Sequence, residues 1–136
     1  MSMYSILFRA HSDWRWIVIL VGAALLIKYL AGLLANSRWS RIDHLLGLGF
    51  TIAVDIQLLL GLVLWIMGQH WRGADPLRSW EHPVTMILAI AIAHITSTRV
   101  KRASENGRKY RIGLVGYLVA GLLILIGILR ITGALG

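Results

Sequence analysis

The sequence predicts an all-α protein, a bundle of four transmembrane helices with both termini on the extracytoplasmic side. Of the 136 residues, 57% are hydrophobic and only 15% are charged, which is more apolar than a soluble domain. Four apolar runs each approach the roughly 20 helical residues that a hydrocarbon core of about 30 Å requires. The segments between these runs are short. Residues 1–136 are therefore predicted to form one transmembrane domain with no soluble part.

The four predicted helices follow one another along the chain. In the first, Ser12 or Asp13 is placed to cap the free N–H groups at the start. The third begins at His82-Pro83, because proline in a first turn removes an N–H that would have no helical partner. The second and fourth are rich in Leu and Gly. The predicted bounds are about 14–35, 42–68, 82–98 and 112–131.

The basic residues predict the orientation of the helices. They are concentrated in the loops after the first and third helices: Arg38, Arg41, Arg99, Lys101, Arg102, Arg108, Lys109 and Arg111. By the positive-inside rule these loops are cytoplasmic, which leaves the termini and the loop 69–81 outside. The outer rim then carries an aromatic belt of Trp14, Trp16, Trp65, Trp71 and Trp80. The formal charge of +8 is thus a topology signal, and no nucleic-acid motif accompanies it.

The residue types present exclude several classes of chemistry. The chain has no Cys, which removes disulfides, thiolate zinc sites, iron–sulfur clusters and covalent c-type haem attachment. A metal would therefore need histidine ligands. No nucleophile–base arrangement or phosphate-binding loop is recognisable, so a hydrolase or kinase has no support.

Two histidines form the main candidate site. The first and third helices run in the same direction, so His11 and His82 are expected at similar depth near the outer rim. A haem with two axial histidines needs one imidazole on each side of the iron. Arg15 and Arg130 lie at the same rim and could neutralise the haem propionates. The competing interpretation is that both histidines are interfacial hydrogen-bonding residues.

The remaining histidines are weaker candidates. His44 and His94 form a second pair, on the inner side. His70 is expected in a solvated loop.

The sequence also predicts an ion pair within the apolar runs. Asp55 is costly near the middle of the second helix, so it should be paired or protonated and should face the bundle. Lys28 is its expected partner, because both residues lie within about one helical turn in depth. A structural pair is favoured over a proton relay.

Three segments resemble a known family. They are the run His11–Trp16, the run Asp55–Leu62, and Glu81-His82-Pro83 followed by Met86. Together they are similar to a family of small four-helix bacterial membrane proteins that are commonly labelled "cytochrome b" or left uncharacterised. The resemblance covers nearly the whole chain. It implies that the recurring motif residues are His11, Arg15, Gln57, Glu81 and His82. Some relatives have histidine at the position of Asp55, which argues against a haem ligand from the second helix here.

These observations lead to three functional hypotheses. The first is a b-type cytochrome-like subunit that binds haem b and takes part in electron transfer, within or beside a quinone-linked respiratory or photosynthetic complex. The second is a cofactor-free accessory subunit of such a complex. The third, a proton channel or transporter, is disfavoured because four helices leave little room for alternating access. The expected partners are membrane lipids, other membrane subunits and quinone, in a bacterial inner membrane.

Overall fold

The computed structural model describes residues 2–134 and contains, within that range, four long α-helices and no strands. All four are long and apolar enough to cross a membrane, so the all-α four-helix prediction is confirmed. A 3₁₀ turn (His70–Arg72) and a π-helical turn (Leu77–Glu81) connect the second helix to the third. The helices are α1 (Met3–Leu34), α2 (Arg41–Met67), α3 (His82–Arg102) and α4 (Asn106–Ile131).

Two helices begin well before the predicted residues. The α1 helix starts at Met3 rather than near residue 14, and Ser2, instead of Ser12 or Asp13, accepts the capping bond from the N–H of Ser5. The α4 helix starts at Asn106 rather than near 112. An apolar run marks the part of a helix that hydrocarbon requires, whereas the helix itself continues through polar residues with adequate propensity. His11 consequently lies inside α1 and not at its start.

Local signals explain the other helix ends. Asn36 has a left-handed backbone, with φ of 51°, directly after α1. Ser40 and Asp43 form a capping box at the start of α2, each side chain accepting from the other residue's backbone N–H. Pro83 stands in the first turn of α3, as expected. The α3 helix continues to Arg102, beyond the predicted end at 98.

The helices pack as a bundle in which α1 contacts α2 and α4, and α3 contacts α4 most extensively. Of these helix–helix interfaces, the seam between α2 and α3 is the least extensive. The core includes Tyr29, Tyr110 and Tyr117, and the Tyr29 ring packs against the other two near the bundle end that carries the α1–α2 and α3–α4 connections. Gly113 allows this packing, because a Cβ there would lie 2.6 Å from the Tyr29 ring.

The outward faces of the helices are apolar. Leu20, Ile27 and Val115 are 68%, 70% and 65% exposed, and many other large aliphatic side chains share this exposure. A soluble monomer rarely exposes apolar patches of that extent, whereas a lipid-facing surface requires them. This surface is consistent with a multi-pass membrane protein.

Candidate functional site

The structure places the imidazole rings of His11 and His82 side by side between α1 and α3. Their ring centroids are 6.4 Å apart, and the ring planes are almost perpendicular, at 88°. His11 lies on α1, and His82 is the first residue of α3, directly after the π-helical turn. Both rings are half-buried. The two residues expected at matched depth therefore share one site.

Unpartnered buried polar atoms surround this histidine pair. Within residues 2–134, five buried side-chain N or O atoms have no hydrogen-bond partner, and all belong to the pair or to its surroundings. Two are the Nδ1 atoms of the histidines themselves. Buried polar groups are normally paired, so such a concentration indicates a site that receives a further group or water. The atoms are His11 Nδ1, Arg15 Nε, Gln57 Oε1, Ser79 Oγ and His82 Nδ1.

Two contacts fix the position of the surrounding polar residues. The Gln57 amide on α2 donates to the backbone carbonyl of His11 at 2.8 Å, which joins α2 to α1 at the site. The Trp65 indole donates to the carbonyl of Ser79 at 2.8 Å and holds the π-helical turn against α2. Arg15 stands one turn after His11 on α1. These bonds leave Gln57 Oε1 and Ser79 Oγ free.

Glycines lie beside both imidazole rings. A Cβ at Gly61 would lie 3.0 Å from Cε1 of His11, and one at Gly127 would lie 3.8 Å from Nδ1 of His82. A Cβ at Gly127 would also overlap the Met86 methyl group. Because α2 and α4 present no side chain at these two points, both helices come close to the rings.

The two arginines at this rim differ in their availability. Arg130 is held by Glu81 through two hydrogen bonds, of 3.0 and 2.9 Å, so the carboxylate already occupies its guanidinium fork. Arg15 packs its guanidinium 5.3 Å from the centroid of the Trp16 ring, and its Nε has no partner. Arg15 therefore remains available to an anionic group, whereas Arg130 does not.

The predicted pair of Lys28 with Asp55 is wrong. The Lys28 ammonium instead binds the Asp43 carboxylate at 2.7 Å, near the connection between α1 and α2. Asp43 is fully buried and also accepts from the hydroxyl groups of Tyr110 and Ser40. The long lysine side chain reaches toward the helix end, where Asp43 is already fixed by its capping box. The Ser40-x-x-Asp43 spacing is the sequence signal that indicates this residue.

Asp55 has a different partner. Its Oδ1 lies 2.7 Å from Nε2 of His94. The pair lies along the α2–α3 seam and faces away from the bundle, whereas Asp55 was expected to face its interior. His94 is thus engaged by a carboxylate and not by His44, which is exposed. His70 lies in the 3₁₀ turn, half-buried against Gly68.

A basic cleft adjoins the connection between α3 and α4. It is open, has a volume of about 690 Å³ and lies where α3 ends and α4 begins. The arginines that line it come from the loop predicted to be cytoplasmic: Arg99, Arg102, Arg108 and Arg111.

Comparison of the chain with protein-family models, with curated proteins and with solved structures gave no match in any of the three. The case for a function therefore depends on the geometry described above.

Proposed function

We propose that the chain is a b-type cytochrome-like subunit of a bacterial inner membrane, in which His11 and His82 would hold haem b. It would take part in electron transfer within or beside a quinone-linked respiratory or photosynthetic complex. The other membrane subunits of that complex, lipids and quinone are its proposed partners. Both termini are proposed to be extracytoplasmic.

The separation of the two imidazole rings carries this proposal. An imidazole nitrogen binds a metal at about 2 Å, so two imidazoles that would hold the same metal between them need centroids about 6 Å apart. The observed 6.4 Å agrees with that distance. The rings also have buried nitrogens without partners, and α2 and α4 approach them at Gly61 and Gly127, where these helices contribute no side chain. The residues present therefore fit the group.

The number of ligands favours haem over a bare metal ion. Among residues 2–134 there is no cluster of three or more His, Cys, Asp or Glu side chains that could hold a metal ion. Structural and catalytic metal ions usually take at least three protein ligands. Two histidines would be enough for a metal that brings nitrogen ligands of its own, as haem iron does.

The residues around the pair have separable roles in this proposal. Bound haem would supply one-electron chemistry. The neutral imidazoles of His11 and His82 would hold the iron, and Gln57 fixes the α1 backbone at His11. Arg15 is the cation for a propionate, whereas Arg130 instead joins α4 to the start of α3 through Glu81. Because only neutral imidazole is a ligand, haem affinity should fall at acid pH.

A cofactor-free accessory subunit is the second candidate. It is favoured by the ion pair of Glu81 with Arg130, which engages this arginine without a cofactor. In that case His11 and His82 lock α1 and α3 together through water. A proton channel is less well supported, because the Asp55–His94 pair lies on the outer surface and not along a path through the bundle.

Titration of the purified protein with hemin tests the proposal. One haem per chain should bind and give the spectrum of six-coordinate low-spin iron. His11→Ala and His82→Ala should each abolish that spectrum, and Arg15→Gln should weaken binding more than Arg130→Gln does. Circular dichroism checks that helix content persists.

Two histidines provide the matched controls. His44→Ala and His70→Ala should bind haem as the wild type does, because His44 is exposed on α2 and His70 packs against Gly68. An unchanged low-spin spectrum in His11→Ala or His82→Ala would contradict the ligand assignment. A wild-type protein that neither retains haem nor binds added hemin would leave the accessory subunit as the explanation.

A further inference from the structure

The Asp55–His94 pair is polar and yet faces outward. The two side chains are 46% and 52% exposed, although their atoms are only 2.7 Å apart. Asp55 lies about midway between the ends of α2. With the four helices placed across a bilayer, this pair would contact hydrocarbon near the membrane centre.

That position is unfavourable for an uncovered pair. Ionisable side chains within a membrane almost always face protein or a water-filled cavity, because hydrocarbon offers no hydrogen bonds. The hydrogen bond between Asp55 and His94 satisfies only one atom of each residue. A further polar surface must therefore cover the seam between α2 and α3.

The unused hydrogen-bonding groups identify what covers it. An imidazole has two ring nitrogens and a carboxyl group has two oxygens that can form hydrogen bonds. One of each is used within the chain, which leaves Nδ1 of His94 and Oδ2 of Asp55. A two-fold axis would bring each remaining nitrogen to the remaining oxygen of a second copy. Both nitrogens of each imidazole and both oxygens of each carboxyl group would then be paired.

The surface around Asp55 has the spacing of a helix-pairing seam. Exposed aliphatic residues occur on α2 at alternating steps of three and four, and Asp55 occupies one position of the same series. This 3.5-residue period is that of two helices packed in a left-handed supercoil, in which one polar position fixes register and number. The residues are Leu45, Leu48, Ile52, Asp55, Leu59, Leu62 and Ile66.

The α4 helix shows that exposed aliphatic residues at this spacing do not by themselves indicate a helix-pairing surface. Val115, Leu118, Leu122 and Leu125 are also exposed at steps of three and four, but no polar residue interrupts them. Lipid tails are as apolar as leucine, so such a stripe is stable in lipid without a partner. The α2 surface differs from the α4 surface because it also carries the polar pair of Asp55 and His94.

We propose that a second copy of this chain covers the α2–α3 seam. The product is a symmetric dimer in which Asp55 and His94 of both copies form one closed ring of hydrogen bonds. This proposal does not depend on haem, because the histidine pair of the candidate site is elsewhere in the bundle.

Cysteine cross-linking in liposomes tests the interface, and the absence of native Cys makes the background clean. Leu48→Cys and Leu59→Cys lie on the α2 seam, whereas Leu118→Cys and Leu122→Cys lie on the matched α4 stripe. Under mild oxidation at a low ratio of protein to lipid, the α2 variants should run as dimers on non-reducing gels and the α4 variants as monomers. Equal cross-linking on both helices, or none on α2, would overturn the proposal. So would cross-links in native membranes from α2 to a different protein alone.

The polar pair itself is tested by replacing both residues. Asp55→Leu with His94→Leu leaves a continuous apolar surface, so the bundle should still insert and fold. Loss of the interchain hydrogen bonds should weaken dimerisation about tenfold. Energy transfer between labelled copies in liposomes measures this change, with Leu118→Ala plus Leu122→Ala as the control. Unchanged dimerisation in the Leu variant would contradict the role of the pair.

Discussion

Replacing Asp43 by asparagine should destabilise the bundle strongly. The carboxylate is fully buried and accepts from Lys28 on one oxygen, and from Ser40 and Tyr110 on the other. The asparagine orientation that loses least keeps its oxygen toward Ser40 and Tyr110. Its amide NH₂ then faces the Lys28 ammonium, so two donors meet without an acceptor.

The expected cost follows from the exposure of the two partners. Breaking a buried ion pair costs about 3–5 kcal/mol when both charges are enclosed. The Lys28 side chain is 39% exposed, so water replaces part of the lost interaction. We therefore expect Asp43→Asn to lower the free energy of unfolding by about 2–3 kcal/mol, near the loss of a hydrogen bond to a charged group.

Unfolding in mixed micelles of mild detergent and dodecyl sulfate, followed by circular dichroism, measures this change. Asp75→Asn is the control. Asp75 lies in the connection between α2 and α3, where the Arg78 guanidinium holds the pKa of that carboxyl below its usual range, but both side chains are largely exposed. That variant should unfold as the wild type does. If Asp43→Asn is no less stable than Asp75→Asn, the buried network is not what joins α1, α2 and α4 at this end of the bundle.

Two further predictions concern packing and orientation. Gly116→Ala should lower the free energy of unfolding by about 1–3 kcal/mol, because its Cβ would overlap Thr96. Gly121→Ala has open space around the added Cβ and should be neutral or slightly stabilising. Equal effects of the two variants in the same unfolding assay would argue against this packing. In intact cells, an impermeant thiol reagent should label Ala74→Cys, whereas Ser104→Cys should react only after permeabilisation. The opposite labelling would reverse the proposed orientation of every helix.

The number and approximate positions of the helices were predictable from hydropathy, because a helix that crosses hydrocarbon needs a long apolar run. The apolar runs give the number of helices and their directions, and equal directions for α1 and α3 suffice to place His11 and His82 at one end. Where a helix continues beyond its apolar run, hydropathy gives no signal. The predicted starts of α1 and α4 therefore lie later in the sequence than the observed ones. Pro83 was placed correctly because its missing N–H makes a first-turn position chemically specific.

The pairing of the charged residues was not predictable from depth. Counting residues from the helix ends fixes depth to about one turn, but it leaves the rotation of each helix about its axis undetermined. Lys28 and Asp55 agree in depth and yet point to different neighbours. The outward position of Asp55 could not be inferred either, since burial of a lone carboxylate is the usual expectation. The Ser40-x-x-Asp43 capping spacing was the one signal that could have indicated the correct partner.

The electron paramagnetic resonance spectrum of the oxidised, haem-loaded protein tests the central claim most directly. Two imidazoles bound to one ferric iron give a low-spin signal, and the angle between their planes determines its anisotropy. With His11 and His82 at 88°, the signal should be the strongly anisotropic type of near-perpendicular planes. A high-spin signal, or a protein that takes up no haem, would contradict ligation by this pair.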